Sequence, residues 1–220
     1  MNFLSQLENG IFASKKDLEK FSKNENAKIL VISDSHGAKE TFLSIVQTFG
    51  AKADALIFAG DGIFDLLFVI EKAKNHFSTA SWLPPVIAFV KGNNDPSFCS
   101  ADFSKDIIVP PKITMQAGKR TILVSHGHSE GVYYDYSAVQ ATAQVFGTDT
   151  AIFGHTHVPA ELMGTTYIMN PGSISLPRHR SPAGFAMLEI TGKNISSIFY
   201  RIENGQKLEF IPYHPEQFYG

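Results

Sequence analysis

Seven side chains of metal-binding types occur in five short polar clusters between residues 34 and 157. They are two carboxylates, one amide and four imidazoles: Asp34, His36, Asp61, Asn93, His126, His155 and His157. A single Asp-x-His or His-x-His pair is weak evidence for a metal site. The repetition of such clusters along the chain is much stronger evidence. Mixed oxygen and imidazole ligands suit Mn, Fe, Zn, Co or Ni. Two such ions about 3.5–4 Å apart could activate water for attack on a phosphate ester.

The segments that must position these side chains are apolar runs, one directly before each cluster. The runs are 29–32, 56–58, 86–90, 122–124 and 151–153. Their β-rich composition, bounded by glycine and polar residues, is typical of strands buried on both faces. Because ligands of α/β sheets collect beyond the carboxyl ends of the strands, we expect the five clusters to converge on one crevice.

Helical and strand-like periodicities alternate in the first half of the chain. Four apolar residues with helical spacing precede Gly50, which predicts the end of that helix: Phe42, Ile45, Val46 and Phe49. Two further helices are predicted over 65–74 and 136–146. Strand-like segments follow over 166–169, 185–190, 195–200 and 208–211. This order predicts an α/β domain that ends in an antiparallel region.

Composition limits the class of protein. The chain has 220 residues, of which 44% are hydrophobic, enough for one domain with a sizeable core. Its formal charge of -2 gives no global sign of nucleic-acid binding. Cys99 is the single cysteine and cannot form an intramolecular disulfide. Since no apolar run approaches the length of about 20 residues that spans a membrane, we expect no membrane association and a cytoplasmic location.

Residues 1–27 are predicted to be an N-terminal extension of a catalytic domain over 28–220. Leu4, Leu7 and Ile11 share helical spacing, although Asn9-Gly10 interrupts them. Two interpretations remain open for this segment. It could cover the surface of its own domain, or it could act as a lid or contact a partner.

The five clusters read in order Asp34-Ser35-His36, Gly60-Asp61, Gly92-Asn93-Asn94-Asp95, His126-Gly127 and Gly154-His155-Thr156-His157. This order resembles the calcineurin-like metallophosphoesterase superfamily, and Asn170-Pro171-Gly172-Ser173 extends the resemblance to a small prokaryotic phosphodiesterase branch. The resemblance implies a four-layer αββα sandwich of two mixed β-sheets flanked by helices. Periodicity alone predicts only the α/β class.

The resemblance also implies a ligand set for two metal ions, with Mn as the first expectation. One ion would bind Asp34, His36, Asp61 and His157, and the other would bind Asp61, Asn93, His126 and His155. Asp61 would then bridge the two ions. The nucleophile expected from this arrangement is a metal-bridging hydroxide, so no serine or cysteine nucleophile is required.

Asn94 departs from the best-known pattern, in which many relatives have histidine after the asparagine ligand. An amide is not a useful general acid near neutral pH, so we expect esters of acidic alcohols to react best unless His128 or water supplies the proton. Asp95 is predicted to orient the site without binding metal. His128 could either contact substrate or support a ligand. Arg178 and Arg180 could bind phosphate or form exposed ion pairs.

The function predicted from these residues is hydrolysis of phosphodiester bonds at a dinuclear metal centre. A phosphomonoesterase is the next interpretation. A third is a non-catalytic protein-binding scaffold of the same fold, as in the retromer-subunit relatives, although retention of all seven ligand types argues against it. The expected partner is a small phosphate ester, and a homo-oligomer remains open.

Overall fold

The computed structural model describes residues 5–8, 10–75, 81–100, 106–133 and 135–215 of the chain. The α-helices of this part are α1 (Lys15–Lys23), α2 (Lys39–Phe49), α3 (Ile63–Lys74) and α4 (Ser137–Val145). The strands are β1 (Ser5–Glu8), β2 (Ile11–Ala13), β3 (Asn26–Ile32), β4 (Ala55–Phe58), β5 (Val86–Phe89), β6 (Phe98–Ser100), β7 (Asp106–Ile108), β8 (Lys112–Ala117), β9 (Arg120–Ser125), β10 (Thr150–Ile152), β11 (Ala160–Leu162), β12 (Tyr167–Asn170), β13 (Gly184–Thr191), β14 (Asn194–Asn204) and β15 (Leu208–Tyr213). Two 3₁₀ turns cover Gly50–Lys52 and His128–Glu130.

Two mixed sheets carry the fold. The larger sheet has the order β1-β2-β5-β4-β3-β13-β14-β15, and the smaller one has the order β11-β12-β10-β9-β8. Strands β3, β4 and β5 run parallel to one another, as do β9, β10 and β12. β13, β14 and β15 form the antiparallel end of the larger sheet, as the sequence predicts. Strands β6 and β7 pair as a separate small ribbon.

Strand β3 shows how one run of apolar residues serves two layers. Successive side chains of a strand point to opposite faces. Ile29 and Val31 therefore pack in the core between the sheets, while Leu30 and Ile32 pack with α2 and α3 on the outer face. A third cluster joins α4 to the outer face of the smaller sheet. The layers are α2 with α3, the larger sheet, the smaller sheet and α4, which confirms the αββα sandwich.

The predicted helices and strands are confirmed with small changes at their ends. The predicted helix over 65–74 begins earlier, at Ile63, and the helix over 136–146 is one residue shorter at each end. Helix α1 was missed because its sequence is mostly polar. It begins where the Ser14 hydroxyl accepts a hydrogen bond from the backbone N–H of Asp17 at 3.1 Å, a common N-cap.

The described part of the N-terminal extension is built into the larger sheet. Strand β2 pairs antiparallel with β5, so that Ile11 lies opposite Ala88. Ile11 and Phe21 are buried in the core between the sheets. Leu7 and Ile11 lie on two strands instead of one helical face, and Leu4 is outside the described residues. The domain boundary between residues 27 and 28 stays a prediction.

None of the helices in the described residues is long and apolar enough to cross a bilayer.

Candidate metal centre

The five sequence clusters lie at the carboxyl ends of parallel strands. Asp34 and His36 follow β3, Asp61 follows β4, and residues 93–95 follow β5 in the larger sheet. His126 follows β9, and the loop with His155 and His157 follows β10 in the smaller sheet. Backbone hydrogen bonds join these loops, including Asp34 N to Gly60 O at 2.9 Å and Gly154 N to His126 O at 3.0 Å. The two sheets thus present their polar ends to one crevice.

Asp34, His36 and His157 form the first group that could hold a metal ion. Asp34 Oδ1 lies 3.2 Å from His157 Nε2 and 3.8 Å from His36 Nε2. The two imidazole nitrogens are 3.2 Å apart. A carboxylate oxygen and two nitrogens that converge in this way form one face of a mixed N/O metal site.

Asp34, Asp61 and His126 form the second group. His126 Nε2 lies 3.4 Å from Asp61 Oδ2 and 3.8 Å from Asp34 Oδ1. Asp34 is therefore common to both groups. Asp61 Oδ2 is also 3.7 Å from His36 Nε2, which places this carboxylate between the two groups. The assignment of Asp61 as the bridging ligand stays a prediction.

Two buried atoms of this cluster have a free electron pair and no hydrogen-bond partner among the described residues. They are Asp34 Oδ1 and His126 Nε2. An unsatisfied buried polar atom normally costs about 1–3 kcal/mol, so its presence calls for an explanation. A cation between these atoms would satisfy both, and the donor set therefore fits a divalent metal ion.

The outer nitrogen of two imidazoles is fixed by a backbone carbonyl. His126 Nδ1 donates to Ala59 O at 2.7 Å, and His157 Nδ1 donates to Leu176 O at 2.6 Å. Because a carbonyl oxygen can only accept, each Nδ1 must carry a proton, and in the neutral ring Nε2 keeps its lone pair. This tautomer is the one that binds metal through Nε2, and the carbonyl also fixes the plane of the ring.

The second oxygen of Asp34 has its own partners. Asp34 Oδ2 accepts from the Ser33 hydroxyl at 2.6 Å and from the backbone N–H of His155 at 3.1 Å. The asparagine of the Asn170-Pro171-Gly172 turn supports the same loop, since Asn170 Nδ2 donates to Gly154 O at 2.7 Å. These contacts orient Asp34 Oδ1 and join the loop after β10 to the loop after β3.

Five of the seven predicted ligands have a left-handed backbone, which is rare for residues other than glycine. Their φ values are 53° at Asp34, 43° at His36, 60° at Asp61, 68° at His155 and 60° at His157. Such conformations cost on the order of 1–3 kcal/mol each and persist only where the surroundings enforce them. The fold therefore maintains local strain at the points where the side chains must converge.

Asp95 is the residue that holds the Asp61 loop. Its buried carboxylate accepts four backbone N–H groups: Asp61 at 2.7 Å, Gly62 at 2.9 Å, Ile63 at 2.9 Å and Gly92 at 3.0 Å. Gly62 and Ile63 begin α3, so the negative charge also lies at the positive end of that helix. These contacts occupy both carboxylate oxygens of Asp95, and its role in orienting the site stays a prediction.

Gly92 allows the β5 loop to approach Asp61. A Cβ at this position would lie 2.0 Å from Asp61 Oδ1 and 2.4 Å from the Asp61 nitrogen. Gly154 has the same function beside Asp34, where a Cβ would lie 2.0 Å from Ser33 Oγ. Glycine is required at both points because any larger residue would displace a carboxylate.

Asn94 contacts the metal centre through Asp61. Its backbone N–H donates to Asp61 Oδ1 at 2.8 Å, and its side-chain Nδ2 donates to Asp61 Oδ2 at 2.7 Å. The predicted ligand Asn93 is exposed, and no hydrogen bond brings its amide to the other candidates. Its place in the ligand set stays a prediction.

His155 and His128 lie on the His126 side of the crevice. The ring centroids of His126 and His155 are 5.2 Å apart, and those of His126 and His128 are 5.4 Å apart. Tyr133 packs edge-on against His155 at 5.7 Å and is 65% exposed, so its ring lies at the entrance to the crevice. Sequence reasoning missed Tyr133, since an isolated tyrosine in a loop carries no motif.

The two carboxylates shape the ionisation of the cluster. Burial raises the pKa of Asp61, but the contacts with His126 and Asn94 outweigh burial and hold this pKa well below its usual range. Burial lowers the pKa of His126, yet Asp61 and Asp34 reverse the direction and raise it. Burial and then repulsion from His126 lower the pKa of His155. The two carboxylates thus stabilise positive charge at His126.

The sequence of the chain is similar to those of known phosphoesterases. The family model described as "Calcineurin-like phosphoesterase superfamily domain" matches residues 27–193. The chain is 32% identical to the probable metallophosphoesterase YsnB of Bacillus subtilis, covering 78% of this chain and 89% of that protein. It is 26% identical to the phosphodiesterase YfcE of Escherichia coli K12, covering 74% of this chain and 87% of that protein.

Solved structures share the architecture. A predicted phosphoesterase from Streptococcus pneumoniae TIGR4 aligns with a TM-score of 0.60 and 24% identity, over 86% of this chain and 98% of that one. Vps29 from Entamoeba histolytica, crystallised in complex with Zn²⁺, aligns with a TM-score of 0.60 and 21% identity, over 84% of this chain and 98% of that one. At these identities the likeness establishes the fold.

Proposed function

Because the chain belongs to the calcineurin-like phosphoesterase superfamily, we propose that it hydrolyses phosphodiester bonds with two divalent metal ions, of which Mn is the preferred one. The observation that carries the proposal is the convergence on Asp34 Oδ1. Three imidazole nitrogens from distant parts of the chain lie within 3.8 Å of this buried oxygen. When bound, two ions would acidify a shared water and stabilise charge on the attacking and leaving oxygens.

The hydrogen bonds of the site indicate which atoms of the chain would bind these ions. Asp34 would contribute Oδ1, since its Oδ2 is occupied by Ser33 and His155. His126 and His157 would contribute Nε2, because a carbonyl holds the proton on Nδ1 of each ring. Two carboxylates against four positive charges leave a positively charged centre, which attracts an anionic phosphate ester.

Asn94 shapes the choice of leaving group. Its amide donates to Asp61 and therefore helps to orient a proposed ligand, but it has no proton to give to a departing alkoxide near neutral pH. Esters whose alcohols are acidic need no such proton. We therefore expect aryl phosphodiesters to react faster than simple alkyl monoesters.

The direct experiment compares matched aryl esters on metal-loaded protein. We expect kcat/KM for bis(p-nitrophenyl) phosphate to be at least about tenfold above that for p-nitrophenyl phosphate. A tenfold ratio corresponds to a difference of about 1.4 kcal/mol in transition-state stabilisation. Chelation and Asp34→Asn should both abolish turnover. Asp135→Asn, at an exposed aspartate, is the matched control and should keep it. Preference for the monoester would make phosphomonoesterase the favoured function in place of phosphodiesterase.

The second candidate is a non-catalytic protein-binding scaffold, since the fold is shared with Vps29. The unsatisfied Asp34 Oδ1 and His126 Nε2 favour the enzyme, because a scaffold gains nothing from buried ligand atoms without partners. Purified protein that binds no divalent metal and hydrolyses neither aryl ester would favour the scaffold.

A further inference from the structure

A loop of residues 176–181, here called the arginine loop, borders the His157 side of the metal centre. Leu176 O accepts from His157 Nδ1 at 2.6 Å. Arg178 N donates to His157 O at 3.3 Å, and Ser181 Oγ lies 3.5 Å from the same oxygen. The loop is thus hydrogen-bonded at Leu176 and Arg178 to one proposed metal ligand, and its backbone is held beside that ligand.

The loop contains two consecutive residues with a left-handed backbone. The φ values are 52° at His179 and 62° at Arg180. Among the described residues, the other non-glycine residues with positive φ are the five predicted metal ligands. Ser181 closes the turn, since its N–H and hydroxyl both donate to Arg178 O, at 3.0 Å and 2.5 Å. Residues in such conformations cluster at ligand-binding and catalytic sites.

The charge of the two arginines in this loop has no counterpart among the residues that the structure describes. Of four arginines in the sequence, Arg120 pairs with Asp149 at 3.6 Å and Arg201 pairs with Glu203 at 2.8 Å. Arg178 and Arg180 are exposed, and neither forms an ion pair with any residue in the described ranges. A guanidinium presents a planar set of donors that matches the oxygens of phosphate.

We propose that the arginine loop binds a second phosphate group of the substrate, a proposal that rests on the proposed function. A phosphodiester carries one negative charge at the scissile phosphorus, and the positive metal centre already complements it. Two further guanidinium groups, on a loop that is hydrogen-bonded to His157, match additional negative charge. The substrate class is therefore a small phosphodiester with another, non-scissile phosphate.

The test uses two dinucleotides that differ by one phosphate. Thymidylyl-thymidine (TpT) and its 5′-phosphorylated form (pTpT) are each incubated with Mn-loaded protein, and kcat/KM for hydrolysis is measured for each. Charge-assisted hydrogen bonds to the extra phosphate should favour pTpT on the order of 10- to 100-fold. Arg178→Ala and Arg180→Ala should each reduce this ratio, and the double variant should bring it close to one. Arg201→Ala removes an equal charge from β14 and should keep the wild-type ratio.

A binding measurement separates this proposal from the proposed function. Calorimetry on the Mn-loaded protein compares thymidine 3′,5′-bisphosphate with thymidine 5′-monophosphate. Tighter binding of the bisphosphate that Arg178→Ala and Arg180→Ala remove would support the second-phosphate site even if no diester is hydrolysed. Hydrolysis of bis(p-nitrophenyl) phosphate without any preference for pTpT or for the bisphosphate would overturn the arginine-loop proposal and leave the diesterase standing.

Discussion

The two sides of the metal centre are held by different means. On the Asp61 side, residues 60–63 and 92–95, a buried carboxylate at Asp95 accepts four backbone N–H groups and fixes the loop from within. On the His157 side, residues 155–157 and the arginine loop, backbone groups of the exposed residues Leu176 and Arg178 hold the ring and the carbonyl of His157. Buried charge gives precise geometry, whereas an exposed loop leaves charged side chains available for substrate. Changes on the first side should therefore disturb metal binding, and changes on the second should disturb substrate binding.

The largest effect is expected at Gly92. Gly92→Ala would place a Cβ 2.0 Å from Asp61 Oδ1, so either the carboxylate or the loop must move. Misplacement by about 1 Å can cost about 100-fold in rate, and we expect at least that loss in kcat/KM for bis(p-nitrophenyl) phosphate. Gly164→Ala is the matched control, because its nearest neighbour would be Thr166 O at 3.5 Å. Equal activity of the two variants would remove the steric argument for the Asp61 side.

Asp95→Asn should have the next largest effect. The amide keeps one acceptor oxygen, so about two of the four N–H groups lose their partner at about 1–3 kcal/mol each. We expect urea unfolding to show a loss of roughly 2–6 kcal/mol in the free energy of unfolding, and Mn affinity to fall about 10- to 100-fold. Asp135→Asn is the control, since Asn and Asp cap an exposed helix start about equally well. A stability loss without any change in Mn affinity would show that Asp95 serves the fold alone.

Asn94→His tests the leaving-group argument on the same side. Imidazole can donate a proton near neutral pH, and general acid catalysis typically contributes about 10²–10⁴-fold. Because the substitution also removes an amide that donates to Asp61, we expect a smaller net effect, about a tenfold gain for alkyl esters relative to aryl esters. The measurement is kcat/KM across a series of leaving groups. No relative gain for poor leaving groups would contradict the role given to Asn94.

The smallest effect is expected from Ser181→Ala in the arginine loop. The change removes the hydroxyl that donates to Arg178 O and lies 3.5 Å from His157 O, while the backbone N–H of Ser181 still donates to Arg178 O. An exposed hydrogen bond contributes about 0.5–1.5 kcal/mol, so KM for pTpT should rise a few-fold. Mn affinity should stay within about twofold, since the His157 ring keeps its bond to Leu176 O. A larger loss of Mn than of substrate binding would erase the distinction between the two sides.

Much of the fold follows from local pattern. Apolar runs such as 29–32 predict buried strands because neighbouring residues fill the two faces of a sheet that is covered on both sides. The helix with Phe42 and Phe49 is equally clear, since its buried side chains repeat with helical spacing. Strands β1 and β2 could not be predicted in this way. They are short. Pairing with the distant strand β5 defines β2, and pairing with β2 defines β1.

The candidate site shows the same limit. Residue types predict which side chains could bind metal, and the order of strands predicts that they meet. Sequence does not show that Asp95 accepts four N–H groups, because that depends on the spatial path of the backbone from Gly60 to Ile63. The attachment of the arginine loop, which precedes β13, to His157, which follows β10, is likewise a contact between residues distant in sequence. Asn93 is exposed, and its place among the ligands stays a prediction.

The central claim is that Asp34 and Asp61, with imidazoles from both sheets, hold two divalent ions. Metal analysis combined with calorimetric titration of metal-stripped protein with Mn tests it most directly. We expect two ions per chain in the wild type and the loss of at least one in Asp34→Asn, because Asp34 belongs to both ligand groups. Wild-type protein that binds no ion, or a count that Asp34→Asn leaves unchanged, would contradict it.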